Sequence, residues 1–147
     1  MAYGNSFCLK FSILLIIIFV FETRETTATL FGKVTVTITN NVTLGSSSTP
    51  TSIEVHCKSK DDDLGFHTLQ FGESYGFSFR RTLVLYKNTL FFCSFTWPGD
   101  SKVHYLDIFD QKYDDCNKCK WNIRKFGGYK YMTETDSFSE HRHWNKS

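Results

Sequence analysis

Val34-Thr35-Val36-Thr37-Ile38-Thr39 alternates apolar and hydroxyl side chains without a break. Successive side chains of a β-strand point to opposite faces, so Val34, Val36 and Ile38 share one face and the threonines the other. A half-buried strand follows. Asn40 to Thr51 then gathers Asn, Ser, Gly, Thr and Pro50, the composition of an exposed loop. The same period of two returns in Ser52 to Ser59, where Ile53, Val55 and Cys57 point in, and in Phe66 to Phe71. It continues in Tyr75 to Arg80, with Phe77 and Phe79 on one side, and in Thr82 to Tyr86. Leu90 to Trp97 sets Phe91, Cys93, Phe95 and Trp97 on one face, and Pro98-Gly99-Asp100 turns the chain into a returning strand, Val103 to Phe109. Cys119 to Phe126 alternates again, and Gly127-Gly128 is read as the turn into Tyr129 to Met132. About eight short strands with regular turn signals and no helical stripe predict an all-β fold, an antiparallel sandwich or barrel. The many aromatic rings fall mostly on the inward phase and serve as packing.

Upstream of the first strand, Lys10 precedes an apolar run from Phe11 to Phe21, and polar residues begin at Glu22. A run of about 11 residues falls short of the roughly 20 needed to span a bilayer. It has the layout of a secretory signal, with Thr26 and Ala28 as the small residues read by the peptidase, so residues 1–28 are expected to be removed. Secretion, and no stable membrane insertion, are expected. What remains is one domain, 29–132, and a polar, aperiodic stretch, 133–147, read as a loosely ordered tail. Lys10 and Arg24 leave with Glu22 and Glu25, so the 17 basic and 15 acidic residues become 15 and 13, still +2. That balance argues against a phosphate-neutralising nucleic-acid binder, which usually shows a basic stripe.

Removing the leader discards Cys8 and leaves Cys57, Cys93, Cys116 and Cys119. Four cysteines in a short secreted chain imply two disulfides, with three possible connectivities. Cys116-x-x-Cys119 has the spacing of a thioredoxin-type pair or half a zinc site, yet neither a second CxxC nor a βαβ pattern accompanies it. Structural bridges from this pair to Cys57 and Cys93 are expected instead. Asp61-Asp62-Asp63 lacks the alternate spacing and distant Glu of a calcium loop and reads as a turn. His141 and His143 lack further fixed ligands and read as solvated, so no metal and no cofactor is expected. Asn41-Val42-Thr43 is a glycosylation sequon, whereas Asn145-Lys146-Ser147 lies too close to the chain's end for efficient use.

Several stretches together are similar to the plant self-incompatibility S1 proteins, or S-protein homologues. They are Val34 to Asn40, Glu54 to Gly65, Gly72 to Phe79, Leu90 to Trp97, Tyr105 to Phe109 and Cys116 to Trp121. The resemblance implies a secreted β-sandwich with two disulfides built from the four cysteines, and no catalytic residues. Phe71, where many relatives show Pro, and the histidine-containing C-terminal stretch depart from the family pattern. Founding members, from poppy pistil, are ligands that trigger rejection of incompatible pollen, so a plasma-membrane receptor is the implied partner. Loops on a rigid frame are where recognition usually sits, which singles out Leu44 to Thr51, Asp61 to Leu64, Pro98 to Lys102 and Asp110 to Lys118. Within the last, Asp114 and Asp115 are the candidate receptor-binding residues. The alternative is a secreted defence protein or hydrolase acting on cell wall or membrane, with Glu73 and Asp107 as its candidate acids.

Overall fold

The computed structural model describes residues 32–46, 48–82 and 87–146. The expected leader, with Cys8, and residues 83–86 of the expected strand Thr82 to Tyr86 lie outside them. Eleven strands run through the described residues: β1 Lys33–Asn40, β2 Thr43–Leu44, β3 Thr49–Pro50, β4 Ile53–Lys58, β5 Asp63–Leu69, β6 Ser74–Arg80, β7 Leu90–Thr96, β8 His104–Asp110, β9 Lys118–Arg124, β10 Gly127–Met132 and β11 Ser137–Arg142. One sheet has the order β11-β10-β9-β1-β6 and the other β5-β4-β7-β8, while β2 and β3 form a two-stranded ribbon between β1 and β4. The fold is all-β, as the alternation predicts.

The inward phases meet between the sheets. Val34, Val36, Ile38, Trp121 and Ile123 come from the five-stranded sheet and Val55, Cys57, Cys93, Phe95 and Leu106 from the other, all buried. Rings join the sheets, Phe79 standing 4.6 Å from a tilted Phe91 and 4.9 Å edge-on from Phe109 between centroids. A bulge in the β7–β8 pairing, between Phe91 and Phe92, lets Phe91 oppose Phe109 while Cys93 opposes Leu106, so both pairs stay inward.

Four expectations need correction. First, the sheets are not wholly antiparallel, because β1 pairs with β9 in parallel, Val36 opposite Cys119 and Ile38 opposite Trp121. Parallel neighbours need a long crossover, and here the whole four-stranded sheet lies between them in sequence. Second, the described part of the expected tail, residues 133–146, is not loose: β11 pairs antiparallel with β10, and Trp144 packs against the core. Third, the turn before β10 is Lys125-Phe126, and both Gly127 and Gly128 lie in the strand. A Cβ on Gly128 would stand 2.5 Å from Leu106 Cδ2, and one on Gly127 2.2 Å from the Arg142 carbonyl oxygen, so close approach rather than turning requires these glycines. Fourth, the bridges are Cys57–Cys93 and Cys116–Cys119. Cys57 and Cys93 sit directly opposite each other on β4 and β7, which leaves the CxxC pair to close on itself.

Candidate functional site

The four recognition loops do not form one surface. Lys58 of β4 opposes Phe92 of β7, and Leu90 opposes Asp110 of β8, so the loops after β4 and after β8 emerge at one end of the sheet. At the other end Ile53 opposes Leu69 and Glu54 opposes Thr96, which puts Leu44 to Thr51 and Pro98 to Lys102 there. Asn40 ties that second end together. Its buried amide donates to the carbonyls of Thr51 and Leu69 at 2.7 and 3.0 Å, and its Oδ1 accepts the Val42 N–H at 2.9 Å. All of the work of this side chain is structural, and nothing in its sequence setting distinguishes it from a loop asparagine. At the same end, Asp100 folds the β7–β8 turn: the Lys102 N–H and His104 hold its carboxyl below the usual range, and His104 stacks on Trp97 at 4.4 Å.

At the first end, the triple-aspartate stretch is a turn, as expected. Ser59 Oγ accepts the N–H groups of Asp61 and Asp62. Asp63 already belongs to β5 and meets His56 Nε2 at 2.5 Å and Lys58 Nζ at 3.0 Å. The His56 contact, the Gly65 N–H and Lys58 together hold its carboxyl well below the ordinary carboxylate range.

The loop from Asp110 to Lys118 is the most firmly anchored. Asp114 is 2% exposed, which removes it from the recognition surface for which the sequence proposes it. Its carboxylate instead receives a two-pronged grip from Arg142, Nη2 to Oδ1 at 2.6 Å and Nη1 to Oδ2 at 3.2 Å. Lys130 Nζ reaches Oδ1 at 2.5 Å, and the Asp110 N–H reaches Oδ2 at 2.8 Å. Burial pushes the Asp114 carboxyl up, and these donors outweigh it, so its pKa lies below the ordinary value. Arg142 also binds Glu140 at 2.8 Å and stacks 5.0 Å above Trp121, so β11 is docked through this cluster. Outside the anchor, Lys112, Tyr113 and Asp115 face water, with Tyr113 71% exposed and Lys112 Nζ 5.2 Å from its ring centre. Tyr113 is the residue that the sequence reading missed. Only the burial of its neighbour shows which side chains of the loop remain outside.

The profile of the plant self-incompatibility protein S1 family matches residues 35–144. The chain belongs to that family. S-protein homolog 2 of Arabidopsis thaliana is 46% identical over 99 residues, which are 63% of this chain and 59% of that protein. S-protein homolog 4 from the same plant is 42% identical over 119 residues, 77% of this chain and 73% of its own length. S-protein homolog 27 is 36% identical over 137 residues, 86% of this chain and 83% of its own. The chain therefore spans less than two thirds of homolog 2 but most of the other two. A solved self-incompatibility protein homologue, described as one of a widespread family of small, highly stable, secreted proteins from plants, superposes with a TM-score of 0.52 at 20% identity. That match covers 81% of this chain and all of the other, and it shows a shared fold. Secretion is the family's setting, and it supplies the oxidising route that two disulfides need.

Within this S-protein homologue the candidate acids do not meet. Asp107 lies on β8, one edge of the four-stranded sheet, while Glu73 lies in the turn that leaves β5, the opposite edge, for β6 of the other sheet; the two edge strands alone stand three spacings, about 14 Å, apart. Glycosidase pairs stand about 5 to 9.5 Å apart. Each carboxylate is also engaged locally, Glu73 by the Gln70 N–H and Asp107 by Asn145. His141 stacks on Tyr129 at 4.4 Å and meets His143 edgewise at 4.2 Å, and no cluster of three or more His, Cys, Asp or Glu converges among the described residues. Asn41 follows β1, and the middle residue of its sequon, Val42, is fully buried.

Proposed function

We propose that this S-protein homologue is a secreted, non-enzymatic ligand recognised by a plasma-membrane receptor of plant cells, in self-incompatibility or in pollen–pistil or developmental signalling. Residues 1–28 act as a cleaved signal peptide, and Asn41 is a glycan acceptor. The observation that carries the receptor reading is the division of labour in the β8–β9 loop: Asp114 holds it from inside while Tyr113 and Asp115 face outward. A rigid loop loses little freedom on binding, and an exposed tyrosine with a neighbouring charge is the composition of an interface hot spot. Family membership supports the ligand class, and the separation of Glu73 from Asp107 takes away the acid pair on which the hydrolase alternative rested.

Binding of the oxidised protein to plant-cell membranes tests this. Tyr113→Ala is expected to weaken binding at least about tenfold, the size of a hot-spot truncation, and Asp115→Lys to slow association, both without a change in melting temperature. Undiminished binding by the double variant removes this loop from the receptor contact.

A further inference from the structure

The outer face of the four-stranded sheet carries a trough at a distance from the β8–β9 loop. The pairings of His56 with Phe66, His56 with Ser94 and Ser94 with Tyr105 set Phe66, His56, Ser94 and Tyr105 in one row across all four strands. Glu54 and Thr96, opposite each other, stand in the adjacent row. These rows line a depression of about 350 Å³, and a second, of about 280 Å³, adjoins it and shares Glu54 and Thr96. The rims are apolar, with Phe66 66%, Tyr105 40% and Val103 48% exposed, and the floor between them is made of the His56 ring, the hydroxyls of Ser94 and Thr96 and the Glu54 carboxylate. Phe66 is braced from behind by the His56 ring, whose centroid lies 4.0 Å away.

A lone exposed apolar side chain is ordinary. Two exposed rings separated by a hydroxyl-lined floor are a pattern with a chemical complement. A pyranose ring offers an apolar C–H face, attracted to the electron-rich face of an aromatic ring, and a rim of hydroxyls that can exchange hydrogen bonds with Ser, Thr and a carboxylate. Charge narrows the class further. Lys58, the cation closest in register, and the His56 ring are both engaged by Asp63, while the Glu54 carboxylate has no ion pair among the described residues. The trough therefore repels uronates. We propose that this face binds a neutral, extended pyranosyl oligosaccharide, with Phe66 and Tyr105 as stacking platforms and Glu54, Ser94 and Thr96 as hydroxyl partners.

The experiment is an amide-resolved NMR titration of the oxidised protein, recovered from plant cells expressing the full chain. The probes are cellohexaose, N-acetylchitohexaose and hexagalacturonate. The first two share the proposed chemistry and differ in source, a wall glucan or a chitin fragment. Saturable shifts centred on Phe66, His56, Ser94 and Tyr105 with either neutral probe, and none with hexagalacturonate, are the expected result. Phe66→Ala and Tyr105→Ala should each weaken binding about tenfold with unchanged melting, whereas Tyr105→Phe keeps it. Lack of saturable shifts with both neutral probes, equal binding by the Phe66→Ala/Tyr105→Ala double variant, or preference for hexagalacturonate overturns the proposal. Loss of membrane-receptor binding by that double variant, with no sugar bound, assigns the face to a protein partner instead.

Discussion

Asp114 carries a charge into a site where its side chain has no exposed surface, and Lys130, itself 7% exposed, comes with it. Taking two ions out of water is expensive, and the expense is offset only when every lone pair is engaged. Arg142, Lys130 and the Asp110 N–H supply four contacts to its two oxygens. Removing the carboxylate by Asp114→Ala leaves the buried Lys130, and Arg142, with Glu140 alone as an acidic partner, and is expected to destabilise the fold by about 3 kcal/mol in denaturant unfolding. The pH dependence has a definite sign. The Asp114 pKa is lower folded than unfolded, so its contribution is complete above the ordinary carboxylate value of 3.8 and disappears as pH falls through the folded value. The stability gap between the native chain and Asp114→Ala should therefore be constant from neutral pH down to about 4 and narrow below it. A gap that instead closes between pH 7 and 5 assigns the effect to another group.

The β10–β11 hairpin shows how an element can be fixed by contacts that leave no periodic mark. Ser137-Phe138-Ser139-Glu140-His141-Arg142 has one apolar residue, so no alternation announces a strand. Its place is set by Arg142 reaching Asp114 and by the Gly127 backbone lying against the Arg142 carbonyl. Gly128→Ala is expected to destabilise by about 1 to 3 kcal/mol in thermal unfolding, because its Cβ must displace Leu106 and the Trp121 ring, 3.0 Å away. Gly76→Ala, whose Cβ would sit 3.4 Å from the Val36 carbonyl, should cost less. The strands visible in the sequence are those with a dry face and a wetter face: β1, β4, β7 and β9 each alternate buried residues with half-buried or exposed ones as their composition predicts. What stayed hidden is non-local. The parallel β1–β9 pairing, the Asn40 hub and the split of the four loops between two ends of the sheet all depend on which strands become neighbours, and a period of two carries no information about that. The site was legible as a loop and illegible as side chains, since Asp114 and Asp115 are chemically identical in sequence and opposite in burial.

At the scale of the whole sandwich, the two disulfides do something other than join its layers. Cys57 and Cys93 belong to adjacent strands of the four-stranded sheet, while Cys116 and Cys119 close a four-residue segment leading into β9. Neither bridge crosses the interface, so the two sheets are held together by the apolar core, by polar links such as Arg142 to the Asp107 carbonyl and Asn40 to the Leu69 carbonyl, and by the chain connections between them. The bridges then act chiefly on the unfolded chain, and their loop lengths rank them. Closing a loop across a separation of 36 restricts that ensemble far more than closing one across 3. In the chain-entropy model the difference is about 4 against about 2 kcal/mol. Cys57 and Cys93 are moreover wholly buried, so truncating them also leaves a void between β4 and β7. Guanidinium unfolding of Cys57→Ala/Cys93→Ala should therefore show at least twice the loss given by Cys116→Ala/Cys119→Ala, and the second variant should remain folded at room temperature. An equal or larger loss from the CxxC pair would mean that this bridge positions the start of β9 against β1, a native-state role that loop entropy does not supply.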